Sequence, residues 1–155
     1  MQKQQLLKQQ VQALVDGAGD PQTRWAVQVT GQVLLGFAQK LAHTHYWLVT
    51  HKAGYWQSVH LSNIHAPEQE KTVIYAFADL TSANIERLQS AQPQELICCE
   101  LPVLEILFRC LALREIDSIV FFDRPFHTDK GTEVARSLLS ELCQKQLAKH
   151  RIQIV

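Results

Sequence analysis

The chain has 155 residues, of which 46% are hydrophobic and 19% are charged. This composition predicts one folded domain and excludes an intrinsically disordered chain. Fifteen Lys and Arg balance fifteen Asp and Glu, which argues against nucleic acid and anionic lipid as partners.

Residues 2–16 place their apolar side chains on one side of a predicted helix, and Gly17 follows as a helix stop. A helix of this length is only marginally stable alone, so that side must be buried. It packs either on the chain's own core or on a second molecule. Leu6 and Val11 therefore enter a candidate interaction surface. The same N-terminal stretch lacks the apolar core of a secretory signal, which predicts a cytoplasmic protein.

Residues 25–41 fit two patterns. A helix start at Asp20-Pro21 and an apolar repeat of four residues favour a helix. Alternating apolar residues, two glycines and many β-branched residues favour a hairpin that turns at Gly31-Gln32. We predict the hairpin and keep the helix as the alternative.

Aromatic and β-branched runs at residues 46–50 and 55–61 predict an antiparallel β-hairpin. The hairpin carries Trp47, Tyr55 and Trp56, and a hairpin cannot easily bury three large aromatic side chains on both of its faces. The outward-facing ones are a second candidate interaction surface.

From residue 72 the chain alternates regularly between strand and helix patterns. An exposed loop is predicted at residues 63–71, before this region. Short apolar runs typical of strands buried on both faces lie at residues 72–78, 95–99 and 118–122. Helical patterns lie at residues 82–90, 103–114 and 129–149, and residues 152–155 could add an edge strand. This β-α-β-α-β-α order predicts parallel strands joined by crossovers.

These elements predict a single domain over residues 1–155, of the α+β or α/β class. It has an N-terminal helix within residues 1–17, a β-rich half at 24–62 with the aromatic hairpin, and the alternating half at 72–150. Together the strands are expected to form one mixed sheet.

Each strand of the alternating half ends on an acid: Asp79, Glu100 and Asp123. Ligands of open α/β sheets bind at the carboxyl edge, and carboxylates there suit a divalent cation. The loop after the third strand adds Arg124 and His127. These five residues form a candidate ligand site, although acids at such positions also serve as helix caps.

Four cysteines lack the spacing of metal or redox motifs, so we expect reduced, buried thiols. His43 and His45 would face one side of a strand, and His51 and His60 lie across the predicted hairpin. A structural zinc site normally shows four recognisable ligands, and these histidines have no cysteine among them. We therefore predict no metal and no cofactor.

The succession VIYAFADLTSANIERL, QELICCELPVLEILFRCL and IDSIVFFDRP resembles the N-terminal domain of the SseB family over residues 73–125. The resemblance implies a small α/β module without an established enzymatic activity, and it carries over no catalytic residues.

The sequence contains no complete catalytic motif, which leaves enzymatic activity open but favours its absence. We predict a non-catalytic module for protein interaction, assembly or regulation, whose partner is another protein or a second copy of itself. The alternative is a small enzyme, or a ligand or metal binder, that uses the carboxyl edge of the sheet. No apolar run reaches the about 20 residues of a membrane-spanning helix, so membrane insertion is not expected.

Overall fold

The computed structural model describes residues 2–63, 66–126 and 130–153. Within these residues the chain forms five α-helices and six β-strands. The helices are α1 (Gln2–Asp16), α2 (Pro21–Gln39), α3 (Leu80–Leu88), α4 (Val103–Cys110) and α5 (Arg136–Gln153). The strands are β1 (His45–His51), β2 (Val59–Asn63), β3 (Ala66–Phe77), β4 (Leu96–Pro102), β5 (Ser118–Phe122) and β6 (Thr132–Ala135).

The strands form one mixed sheet in the order β4-β1-β3-β5-β6, with β2 paired to the first half of β3. The mixed α and β class and the single sheet are confirmed. Only β3 and β5 are adjacent and parallel, while the other pairs are antiparallel. The three strands of the alternating half run in the same direction, but β4 does not pair with the other two. It is an edge strand, because β1 lies between it and β3.

Successive side chains of each strand point to opposite faces, and helices cover the two faces unequally. The face that carries Tyr46, Ile74 and Phe121 is called the first face. It shares one hydrophobic core with buried residues of α1, α2, α4 and α5. The second face carries Tyr75 and Phe122, and its smaller cluster contains a buried residue of α3 alone among the helices.

Residues 21–39 form helix α2, so the hairpin prediction for residues 25–41 was wrong, as was a β-rich half starting at residue 24. The Asp20 carboxylate accepts a hydrogen bond from the Thr23 N–H at 2.8 Å, which caps the helix start. Gly31 is not a turn residue. A Cβ atom there would lie 2.8 Å from Cγ1 of Val11, so glycine allows α1 and α2 to approach closely.

Helix α1 packs within its own domain. Leu7 and Val11 are buried in the main core, whereas Leu6 is 43% exposed. The Gln10 amide donates to the carbonyl of Thr44 at 2.9 Å and accepts from the N–H of Leu104 at 3.1 Å. The Leu104 N–H lies in the first turn of α4, where N–H groups have no hydrogen-bond acceptor within their own helix. Of the two sequence-based alternatives, burial in the chain's own core is the one the structure shows.

The aromatic hairpin is shorter than predicted. After β1 the chain turns back for one bridge only, with the His51 N–H donating to the Tyr55 carbonyl at 2.7 Å. Strand β2 then leaves to pair with β3, and β1 pairs with β3 and β4 instead.

Residues 66–71 belong to β3, so the loop prediction for residues 63–71 was wrong there; residues 64 and 65 lie outside the described part of the chain. The described side chains from Glu68 to Lys71 are exposed. This part of the strand therefore lacks the apolar alternation that marks a half-buried strand in sequence.

Strands at 72–78, 95–99 and 118–122 and helices at 82–90 and 103–114 correspond to β3, β4, β5, α3 and α4. The last helix starts at Arg136, after β6, which the sequence reading missed; the predicted start at residue 129 lies outside the described residues. Residues 152 and 153 end α5 and form no edge strand. On α5, Leu139 is fully buried and Leu138 is 44% exposed.

Candidate functional site

The carboxyl ends of β3, β4 and β5 lie at one edge of the sheet because the three strands run in the same direction. Asp79 follows β3 and caps α3. Its carboxylate accepts from the Ser82 N–H at 3.2 Å and from the Ser82 hydroxyl at 2.6 Å. The helix-cap interpretation of this acid is the one the structure supports.

Asp123 follows β5 and joins the edge to β1. The Tyr46 hydroxyl donates to the Asp123 carboxylate at 2.7 Å, and Nε2 of His43 donates to the Asp123 carbonyl at 2.8 Å. Burial, reinforced by the hydrogen bond to Asp123, raises the pKa of Tyr46 well above its ordinary value, so its hydroxyl stays protonated. These hydrogen bonds form a part-buried network that connects the end of β5 to β1.

The other members of the predicted ligand site lie elsewhere. Glu100 is exposed on β4, opposite Trp47, and Arg124 is exposed in the bend after β5. His127 lies outside the described residues. Across the part of the chain that the structure describes, no three His, Cys, Asp or Glu side chains group closely enough to hold a metal ion.

The cysteines are all free, and Cys110 and Cys143 are buried as predicted, whereas Cys98 and Cys99 are half-buried. Burial raises the pKa of both Cys110 and Cys143 to about 11, so these thiols stay protonated at neutral pH.

The predicted interaction residues are dispersed. Val11 and Trp56 are buried, and the Arg109 guanidinium lies 4.5 Å from the centre of the Trp56 ring. Val11 and Trp56 are therefore unavailable as surface contacts. Tyr55 is 59% exposed and stacks on His51, and Trp47 is half-buried on the second face. Leu6 on α1 is 43% exposed.

The second face of the sheet holds a groove that no sequence motif predicted. We call it the second-face groove; its volume is about 410 Å³. Its lining residues come from β2, β3, α3, β5 and the loop after β5: Val59, Tyr75, Phe77, Ser82, Ile85, Glu86, Gln89, Phe122 and Phe126.

Three aromatic rings form the floor of the second-face groove. The rings of Phe77 and Phe122 stack with centres 5.4 Å apart, and Tyr75 meets Phe122 edge-on at 5.1 Å. Phe77 and Phe122 are almost fully buried, whereas Tyr75 is half-buried. One wall is the side of α3 on which residues 82, 85, 86 and 89 lie, spaced at one to two helical turns.

Phe126 stands at the end of the groove with 64% of its surface exposed. Its φ of +64° is uncommon for a residue other than glycine and requires support from its surroundings. That support comes from Ser82, whose hydroxyl accepts the Phe126 N–H at 3.0 Å and donates to Asp79. The cap of α3 therefore also fixes the backbone that presents Phe126.

Glu86 is the charged member of the lining. Burial raises the pKa of Glu86, and burial together with the nearby Glu86 charge raises the pKa of Tyr75. Among the described residues, the ion pairs join Lys71 to Glu133 and Lys145 to Glu141, and neither involves Glu86. The neighbouring Arg87 donates to the side chain of Asn84 and the carbonyl of Pro93.

Sequence reasoning missed this groove because its floor residues were read as ordinary core of buried strands. One signal was available: Leu80, Ile85 and Leu88 of α3 are too many apolar residues for a nine-residue helix to bury, and all three are exposed by 40% or more.

Comparisons with known proteins add little. No family model matches the chain, and no curated protein matches it. The resemblance to the SseB family therefore stays a prediction. A solved structure of Anabaena Tic22, described as a protein of protein transport, is similar at 21% identity and a TM-score of 0.38. The match covers 64% of this chain and 48% of that one, so this chain spans about half the length of the neighbour. At this level the likeness carries no argument about function.

None of the described helices is both long and apolar enough to span a membrane.

Proposed function

We propose that this protein is a non-catalytic interaction module, and that it holds its partner protein in the second-face groove. The observation that carries the proposal is the unequal cover of the sheet. A single nine-residue helix packs on the second face and leaves a groove beside it, in which Tyr75 of the aromatic floor is half-buried and Phe126 at the end is exposed.

The groove suits a protein segment better than a small molecule. Its volume falls within the range of ligand pockets, but exposed apolar surface continues along α3 from Ile85, which lines the groove, to Leu88, which does not. An apolar surface that extends past a pocket is typical of protein contacts. Aromatic rings at the centre of such a surface are the residues that contribute most to binding in protein interfaces.

The enzyme or ligand-binding alternative at the carboxyl edge has less support. Asp79 caps α3, and Asp123 is bonded to Tyr46. Glu100 is exposed, and among the described residues no three His, Cys, Asp or Glu side chains group as a metal site. We therefore do not assign chemistry to that edge.

Site-specific photo-crosslinking tests the proposed docking surface. A photoreactive phenylalanine analogue replaces Phe126 in one variant and Tyr55 in a matched control, and both proteins are irradiated in the cells that make them. We expect a discrete adduct with another protein at position 126 and none of comparable yield at position 55. An adduct at position 55 alone would move the interaction surface to the hairpin, and equal background at both positions would contradict the proposal.

A further inference from the structure

We propose that the partner segment carries a lysine or arginine beside a large apolar side chain, with its cation directed at Glu86. The inference rests on the proposed docking function and specifies which segments the second-face groove selects.

Charge is the first step of the argument. Glu86 is the charged side chain among the nine residues that line the groove, and its neighbours there are aromatic, aliphatic or neutral polar groups. A partner that covered this wall would remove further water from the carboxylate. A neutral segment would leave the charge buried without a partner, which costs free energy, and an acidic segment would add repulsion. A cation instead replaces the lost water with an ion pair.

Position is the second step. Glu86 and Tyr75 line the same groove, Glu86 on the α3 wall and Tyr75 on the floor, and the Glu86 charge adds to the burial that raises the pKa of Tyr75. An apolar side chain resting on the floor would therefore bring a neighbouring residue of the same segment to Glu86. A cation there also lies near aromatic rings, whose faces attract positive charge.

Competition from the chain itself is the third step. Arg87 is next in sequence, yet its guanidinium is occupied by Asn84 and the carbonyl of Pro93. No described ion pair neutralises Glu86. Within the described residues, the carboxylate therefore stays available to a cation of the partner.

The experiment uses three synthetic hexapeptides with identical phenylalanine and leucine positions and one variable position that holds lysine, glutamine or glutamate. Each is titrated into the isotopically labelled full chain, and dissociation constants come from amide chemical-shift changes. We expect the lysine peptide to bind about fivefold more tightly than the glutamine peptide, since a partly exposed ion pair contributes about 1 kcal/mol. The glutamate peptide should bind most weakly.

Two variants locate the effect. Glu86→Gln should remove the lysine preference, whereas Glu100→Gln, which changes an exposed acid of β4 outside the groove lining, should leave it intact. Phe126→Ser should weaken all three peptides alike. Equal binding of the peptides, still sensitive to Phe126→Ser, would overturn the cation inference and leave the docking function standing. Binding of none of the peptides at the groove would count against both.

Discussion

The two faces of the sheet differ in how their side chains are covered. On the first face, Tyr46, Ile74 and Phe121 are sealed by helices from both ends of the chain and by α4. On the second face, the neighbouring residues Tyr75 and Phe122 lie beneath a groove beside one short helix. Both faces derive from the same strands, so the strand sequences alone do not explain the difference.

The difference separates stability from binding. A side chain buried on the first face has its interaction energy committed to folding, because removing it leaves a cavity in a closed core. A side chain exposed at the second-face groove contributes little to folding and remains available to a partner. Substitutions in the closed core should therefore lower stability, whereas substitutions at the second-face groove should lower partner binding and leave stability nearly unchanged.

The largest difference in stability is expected when the same substitution is made in the core of the first face and at the second-face groove. Phe121→Asp should prevent stable folding, because a charge on a fully buried side chain costs several kcal/mol, comparable to the whole stability of a domain. Phe126→Asp should change stability by no more than about 0.5 kcal/mol, since Phe126 is exposed and aspartate tolerates positive φ. Urea denaturation of both variants measures the contrast. Cooperative, near-normal unfolding of Phe121→Asp would refute the assignment of this face as the core.

A second pair compares neighbours on α1. Leu7→Ala should destabilise the domain by about 3 kcal/mol because Leu7 is fully buried, whereas Leu6→Ala should cost no more than about 0.5 kcal/mol. Urea unfolding measures the difference in stability between the two variants, from their midpoints, provided that the dependence of unfolding free energy on urea concentration is the same. Equal, small effects would mean that α1 is not held in the core, and would return it to the role of a docking helix.

The third prediction concerns the link between the α3 cap and the groove. Ser82→Ala removes the hydroxyl that joins Asp79 to the Phe126 N–H, and should cost about 1 kcal/mol of stability. Amide hydrogen exchange at Phe126 should become faster while exchange in β5 changes little. Ser90→Ala is the control, because its hydroxyl bonds to a carbonyl at the other end of α3. Unchanged exchange at Phe126 would show that Ser82 does not hold this backbone.

The smallest effect is a gain in stability from Glu86→Gln. Because burial raises the pKa of Glu86 in the fold, the protonated form is favoured, and the charge destabilises the domain once pH rises above its unfolded and then its folded pKa. The variant should be more stable than the parent at pH 7, by on the order of 0.3 kcal/mol after solvent screening. The gain should vanish below about pH 4, near the ordinary pKa of glutamate. Thermal unfolding across this pH range measures it, and a loss of stability at pH 7 would indicate an unseen favourable partner.

Local patterns identified several elements correctly. Residues 118–122 are a short apolar run, and they form β5 because a strand buried on both faces needs no alternation. The helical pattern predicted at residues 103–114 begins at Val103, the first residue of α4. Asp79 was recognised as a possible cap from its place before a helix, and the structure shows that bond to Ser82.

Other elements depended on contacts that local patterns do not encode. The sequence pattern of residues 25–41 fitted both a helix and a hairpin. In the structure they belong to helix α2, and Gly31 allows this helix to pack closely on Val11 of α1. The exposed half of β3 lacks any apolar alternation, and its pairing with β2 defines it. The strands that precede the candidate acids end at one edge of the sheet, as predicted. Glu100 is nevertheless separated from the other two acids, because β1 lies between β4 and β3.

The sequence by itself determined that the chain forms one mixed α and β domain, because hydrophobic periodicity fixes which side chains each element must bury. It did not determine which face of the sheet would be sealed. That choice depends on strand order and on where four helices pack, which are contacts between residues far apart in the chain. The second-face groove results from that arrangement. Its floor, wall and Phe126 come from separate segments that only the tertiary structure brings together.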